Sequence, residues 1–249
     1  MKRLYFFISL FVFSLLILPV SPDANQPDIN HKSLQDALLA TLQPHISEGI
    51  IDYYGYDKSY KLQDAEVLNI KREKEDGFAF TVEIRVNTFE TAENPPYGKE
   101  TIQFSISPKG VKMLDFTHAG DEEEKRLQEF YKEVLIDIKQ SFHLNLLPYE
   151  RYDYNQLRYK AEKQNEYDSL SHIAEEIIMN ILSPEIQPPY KNVIDPVTFI
   201  KGDEGFILFK KSDGTNFYYK VLKENGIWKV IEQESGKGKK MKYDLLWYM

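Results

Sequence analysis

From Phe78 to Asn87 the chain alternates: Phe78, Phe80, Val82, Ile84 and Val86 fall on one parity, and Ala79, Thr81, Glu83, Arg85 and Asn87 on the other. Successive side chains of a strand point to opposite faces, so the pattern calls for a sheet with one face dry and one wet. Asp76-Gly77 sets a turn before it. The alternation resumes at Ile102, Phe104 and Ile106, turns at Ser107-Pro108-Lys109-Gly110 and closes with Val111 to Phe116. Antiparallel pairing is the economical way to join such neighbouring runs. Between them lies Asn94-Pro95-Pro96-Tyr97-Gly98. Proline lacks the amide hydrogen that a central ladder needs, so this stretch is predicted to be the connector. Gly98 is expected to turn it with positive φ, and Tyr97 to pack over the sheet end.

The apolar face needs a cover. Leu34, Ala37, Leu38, Leu42, Ile46, Ile50 and Ile51 fall at helical spacing. Ser33 is the expected cap, Pro44 an expected kink or helix break, and Gly55 the stop. The period is helical again over 121–142, where Leu127, Phe130, Tyr131, Val134, Leu135, Ile138 and Phe142 form one stripe. Asp121 and Glu124 resemble a capping box, and the acidic run there reads as a solvated helix start. Residues 148–168 are polar and tyrosine-rich, an expected connector. A third helix is predicted from Ser169 to Leu182. Strands follow at Phe206–Phe209, Phe217–Leu222 and Ile227–Ile231, set apart by Asp213-Gly214 and Asn225-Gly226. Residues 34–46 and 174–186 both end in Leu-x-Pro-x-Ile ahead of a meander, the pattern of two related helix-then-sheet units. The expected fold class is α+β, helices packed on antiparallel sheets in cystatin-like or NTF2-like modules. The modules are 33–118 and 169–249, joined by a helix and connector over 119–168.

The amino terminus addresses the chain. Lys2 and Arg3 precede an uncharged run from Leu4 to Val20, and Pro19 and the polar stretch after it end the run. This is the layout of a secretory signal, residues 1–24, or of a retained anchor, with 25–32 as spacer. Export, to a secreted or membrane-anchored position, is expected. There are no cysteines among the 249 residues, which excludes disulfides, thiolate nucleophiles and a lipid-bearing cysteine. An exported chain without cysteine fits a Gram-positive bacterium. The formal net charge of −8 argues against nucleic acid as a partner, since phosphate needs a basic footprint.

The runs LLATLQPHISEGIIDYYG, FAFTVEIRVNTFE and NPPYGKETIQFSISPKGVKMLDF resemble a family of small exported proteins from Bacillus-like bacteria, catalogued as domain of unknown function 3888. The likeness spans about residues 30–118, with NPPYG-x-ETI-x-F its sharpest part. It implies export and supplies no catalytic residues.

Chemistry-bearing motifs are few. The nucleophile elbow, the zincin helix, the P-loop and the dinucleotide fingerprint are all missing, and no cofactor or metal is expected. His172 and Glu176 stand four apart on a helix and read as a surface pair. Glu100, Asp115 and His118 flank the end of the sheet and are the catalytic candidates for an envelope-polymer hydrolase. The favoured expectation is instead a non-catalytic binding protein of the cell envelope. Its candidate contacts are Tyr97, Tyr152 and Tyr154, which offer apolar area with a hydroxyl, and Lys239, Lys240 and Trp247 in the tail. Candidate partners are an envelope polymer, a membrane surface or another exported protein.

Overall fold

The computed structural model describes residues 30–186 and 193–240. The chain divides into a short unit, Met1–Asp36, and a main unit, Ala37–Met249. The signal or anchor at 1–24, most of the spacer, and Trp247 lie outside the described residues. Among the described residues no helix is long and apolar enough to cross a membrane.

The fold is α+β, with two antiparallel sheets and four α-helices among the described residues. Helix α1, His31–Tyr54, runs without a break through Pro44, where a kink or two helices were expected. Proline cannot donate to the carbonyl of Ala40, but Leu42, Ile46 and Ile50 are fully buried on either side and hold the axis. Each such burial contributes about 1.5–3 kcal/mol. The helix starts one turn earlier than expected, and the Asn30 carboxamide, rather than Ser33, accepts from the amide of Lys32 at 3.0 Å.

The first sheet is built from β1 (Ser59–Tyr60), β2 (Glu66–Arg72), β3 (Phe80–Glu90), β4 (Asn94–Ser107) and β5 (Gly110–Gly120). Its order is β1-β3-β4-β5, and β2 also pairs with β3. Val82, Ile84 and Val86 face Phe104 and Ile102 under α1, so the parity read from the sequence is the parity of the core. The connector is not where it was expected. Thr91–Glu93 makes the turn, and Asn94-Pro95-Pro96-Tyr97-Gly98 already belongs to β4. The prolines are tolerated there because β5 joins β4 only from Gly98 onward.

The second sheet has the order β10-β9-β8-β7-β6. Its strands are β6 (Glu150–Tyr152), β7 (Val197–Lys201), β8 (Glu204–Lys210), β9 (Thr215–Glu224) and β10 (Ile227–Lys237). It is covered on both faces. Helix α2, Glu122–Ser141, packs Phe130, Val134 and Ile138 on Val197, Phe199, Leu208 and Tyr218. On the other face α3, Tyr154–Lys163, and α4, Asp168–Ile177, pack Leu157, Leu170, Ala174 and Ile177 on Ile200, Ile207, Phe209 and Val221. Hence Phe206 to Phe209 is apolar at every position: a strand buried on both sides loses its alternation. Residues 148–168, expected to be an irregular connector, form β6 and α3. Asp153 and Gln156 close a capping box at the start of α3, and that local signal outweighs the polar composition.

Candidate functional site

The register of β3, β4 and β5 sets two rows across the buried face at one end of the first sheet. Val86, Glu100 and His118 make one row, and Thr88, Gly98 and Gly120 the next. Glu100 is fully buried. Its Oε1 accepts from the Tyr54 hydroxyl at 2.7 Å and from Thr88 Oγ1 at 2.9 Å. Its Oε2 lies 2.9 Å from His118 Nδ1, and His118 Nε2 lies 2.9 Å from Glu124 Oε2 on α2. An imidazolium satisfies such a pair by donating at both nitrogens. The Tyr53 ring covers the imidazole at 5.0 Å between centroids and stacks on Phe116. Burial first, with Glu100 adding to it, pushes the Tyr54 phenol far above its ordinary range, so it remains a donor.

Two glycines make room for these groups. A Cβ on Gly98 would stand 2.3 Å from Glu100 Oε1, 2.4 Å from Thr88 Oγ1 and 2.6 Å from the Tyr54 hydroxyl. On Gly120 it would meet Glu124 Oε2 at 1.7 Å. Gly98 therefore does not take the expected positive φ. It is glycine because side chains, rather than the backbone, demand the space. The Asp121 carboxylate caps α2 through the amide of Glu124 at 2.8 Å, but Glu124 turns its own carboxylate to His118 instead of back to the cap.

Of the three catalytic candidates, the fold brings Glu100 and His118 together and leaves Asp115 apart. Asp115 is exposed, pairs across the ladder with Gln103 and, among the described residues, bonds only locally, to Thr117. Tyr54, Thr88 and Glu124 complete the cluster and were not among the candidates. The cluster ties α1, three strands and α2 together. Its polar atoms answer one another, and Glu100 offers no surface to a substrate.

An open site lies elsewhere. A cleft of about 600 Å³ lies between the Thr91–Glu93 turn, α2 and α3. Its apolar walls are Tyr56, Tyr131, Tyr154, Leu127 and Ile178. Asn94, Gln128 and Asn155 supply carboxamides, and Glu90, Asp153, Asp195 and Arg151 supply charge. These charges are largely compensated. Lys58, itself buried, pairs with Glu90 at 3.0 Å, and Arg151 pairs with Asp153 at 2.8 Å. The phenol of Tyr131 is raised well above its usual value by burial and then by Asp195 and Asp153. That of Tyr56 is raised by burial and then by Glu90. Both stay protonated and able to donate. Ala92 on the rim and Glu93 after it hold φ of 60° and 61°, two successive left-handed residues that are not glycine. Such strain persists only where the surroundings over-determine it, and it gathers at sites.

The remaining sequence candidates are scattered. Tyr154 lines the cleft. Tyr152 is occupied: its hydroxyl donates to Glu150 at 2.5 Å and accepts from Lys160, and burial followed by Glu150 raises it to about 12. Tyr97 is half exposed in a groove on the opposite face of the first sheet, its hydroxyl bonded to the Glu93 carbonyl. Lys239 and Lys240 lie beside Asp137, and the Lys239 amide donates to that carboxylate at 2.9 Å. His172 bonds to the Asp168 carbonyl within its own helix. No group of three potential ligands able to hold a metal ion occurs among the described residues.

No curated protein matches the chain. Residues 34–120, the stretch from α1 to the end of β5 that builds the Glu100–His118 pair, match the family described as protein of unknown function (DUF3888).

Proposed function

We propose that the chain is a non-catalytic binding protein of the bacterial cell envelope, exported through its first 24 residues, and that the cleft between α2 and α3 is its ligand site. The observation that carries this reading is the contrast between the two polar sites. The Glu100–His118–Glu124 cluster is saturated by protein partners around a fully buried Glu100, with Gln128 of the cleft wall donating to Glu124 at 3.3 Å, while the cleft is concave, open and walled by three tyrosines. Its volume falls within the range of about 300–1,000 Å³ usual for small-ligand pockets. Export is supported by the basic-then-apolar start of the sequence.

The test is retention of the full chain on isolated envelope fragments. Gln128 is exposed on α2 and lines the cleft, so Gln128→Trp fills it without entering a core and gives up only a long surface bond of 3.3 Å to Glu124 Oε1. Wild type is expected to be retained and Gln128→Trp to be lost in the unbound fraction. Equal retention of both would overturn the cleft as the site. Three carboxylates on the lining favour a second reading, hydrolysis of an envelope polymer. Release of soluble fragments by wild type, abolished by Asp195→Asn, would establish that reading instead.

A further inference from the structure

We infer that the first sheet pairs with its counterpart in a second copy of the chain, edge to edge through β5, in an antiparallel register that sets Lys112 of each copy opposite Asp115 of the other. The inference does not depend on the cleft.

Among the described residues β5 pairs only with β4, so an 11-residue strand presents its other side as open ladder. Such an edge is a template for a further strand. Burial points the same way. On β3 and β4 the inward residues Val82, Ile84, Ile102 and Phe104 are buried. On β5 the inward residues Val111, Met113 and Phe116 pack on the same core and are only half buried. Tyr53 of α1 stacks on Phe116 and is 50% exposed. The apolar layer beneath the sheet therefore runs out to this edge and ends there uncovered.

The ladder selects the partner. Leu114 is an extra residue in β5, because Met113 pairs with Phe104 and Asp115 with Gln103. A bulge guards an edge against regular strands by breaking their step. A second β5 carries the same bulge. Lys112 and Asp115 pair with Ser105 and Gln103, two apart on β4, so they share one face and one hydrogen-bonding type. Val111 and Phe116 pair with Ile106 and Ile102, four apart, and share the core face. A two-fold axis at the bulge thus lays Lys112 on Asp115 twice, and Val111 on Phe116 twice, with the two bulges facing each other. This contact is isologous, so it closes at two copies and does not propagate.

Charge favours this edge over the other long one. Among the described residues Asp115 accepts only from its neighbour Thr117, and Lys112 forms no ion pair; both are exposed. On β10 the extra residue is Ile231, again between a lysine and a carboxylate, Lys229 and Glu232. There the charges are already held, Lys229 by Glu224 at 3.3 Å and Glu232 by the Tyr218 hydroxyl. Opposite charges set directly across a ladder stabilise the pairing, and like charges oppose it.

Sedimentation of the full chain reads the association, and wild type is expected to dimerise. Lys112→Asp and Asp115→Lys each put like charges opposite one another at both symmetry-related positions. Each is expected to weaken the dimer about tenfold or more. The two substitutions in one chain exchange the signs and are expected to restore it. Both positions are exposed, so the fold is not at stake. The register is read by cross-linking, since the chain has no cysteine of its own. Oxidising a mixture of Lys112→Cys and Asp115→Cys chains is expected to join one to the other, as residues directly opposite lie within disulfide reach. A wild-type chain that sediments as a monomer at every concentration overturns the inference. So does a dimer that both single swaps leave unchanged, or one that the double swap fails to restore. Linkage of Lys112→Cys to Glu232→Cys instead of to Asp115→Cys would mark pairing of β5 with β10 and overturn it as well.

Discussion

Replacing Gly98 with alanine puts one methyl group into the most crowded polar spot of the protein. The new Cβ would lie within 2.6 Å of three oxygens, on Glu100, Thr88 and Tyr54. None can step aside. Glu100 and Thr88 are fully buried, and Tyr54 is rigid and held at the helix end. Moving Glu100 breaks bonds from Tyr54, Thr88 and His118 to a charged acceptor, and each such bond contributes about 1.5–3 kcal/mol. Loss of one or two outweighs the gain of about 0.4–1 kcal/mol that alanine brings by stiffening the unfolded chain. A net loss of about 2–4 kcal/mol is expected. Gly120→Ala is the control. Its nearest contact is the end of the Glu124 side chain, which is flexible and partly exposed. That carboxylate can swing out, so the loss should be about 1 kcal/mol, one hydrogen bond. Urea denaturation followed by circular dichroism reads both as midpoint shifts at constant slope. A Gly98→Ala protein within about 0.5 kcal/mol of wild type, or one more stable than Gly120→Ala, would refute the packing argument.

Other outcomes follow from the second sheet and from the amino terminus. Lys210 and Asp137 form a buried ion pair at 2.5 Å, so Lys210→Met strands the carboxylate and should cost about 3–5 kcal/mol by denaturation. Burial acts to raise the Asp137 carboxyl, but bonds from Lys210, the Lys239 amide and Asn216 hold it below its ordinary value. A carboxyl depressed in the folded state lends stability above its unfolded value of about 4, and that stability is lost as pH falls below it. Denaturation midpoints taken from pH 6 downward should therefore decline in wild type and decline less in Asp137→Asn. Cell fractionation should place the intact chain outside the cytoplasm and a chain lacking residues 1–24 inside it.

The first sheet was legible because one face is dry: the parity of Val82, Ile84 and Val86 survives unchanged into the core. The second sheet was legible only as isolated strands, since a sheet covered on both faces carries no alternation to fix its layers. The meeting of Glu100 and His118 could be guessed from their distances to the turn at 107–110, but not paired. Counting seven residues back from Ser107 and seven on from Gly110 matches Glu100 with Thr117. The bulge at Gln103/Phe104 moves the partner to His118, and a bulge leaves no mark in the sequence here. Glu124 was hidden by a local explanation that is half right: Asp121 does cap the helix, but the second carboxylate reaches back to His118 on β5. Gly98 misled because positive φ is the common reason for a glycine, and the less common one, the close approach of side chains, needs the third dimension. Of the cleft, Tyr154 alone was among the sequence candidates. Tyr56, Asn94, Gln128, Tyr154 and Asp195 come from five separate segments.

We propose that the cleft binds the ligand and that the His118 cluster holds the fold together. Binding of the full chain to envelope fragments, measured for wild type, Gln128→Trp and His118→Gln at matched concentrations of folded protein, tests it most directly. Gln128→Trp is expected to lose binding while folded His118→Gln keeps the wild-type affinity. Loss of binding in folded His118→Gln, with Gln128→Trp unaffected, would contradict it.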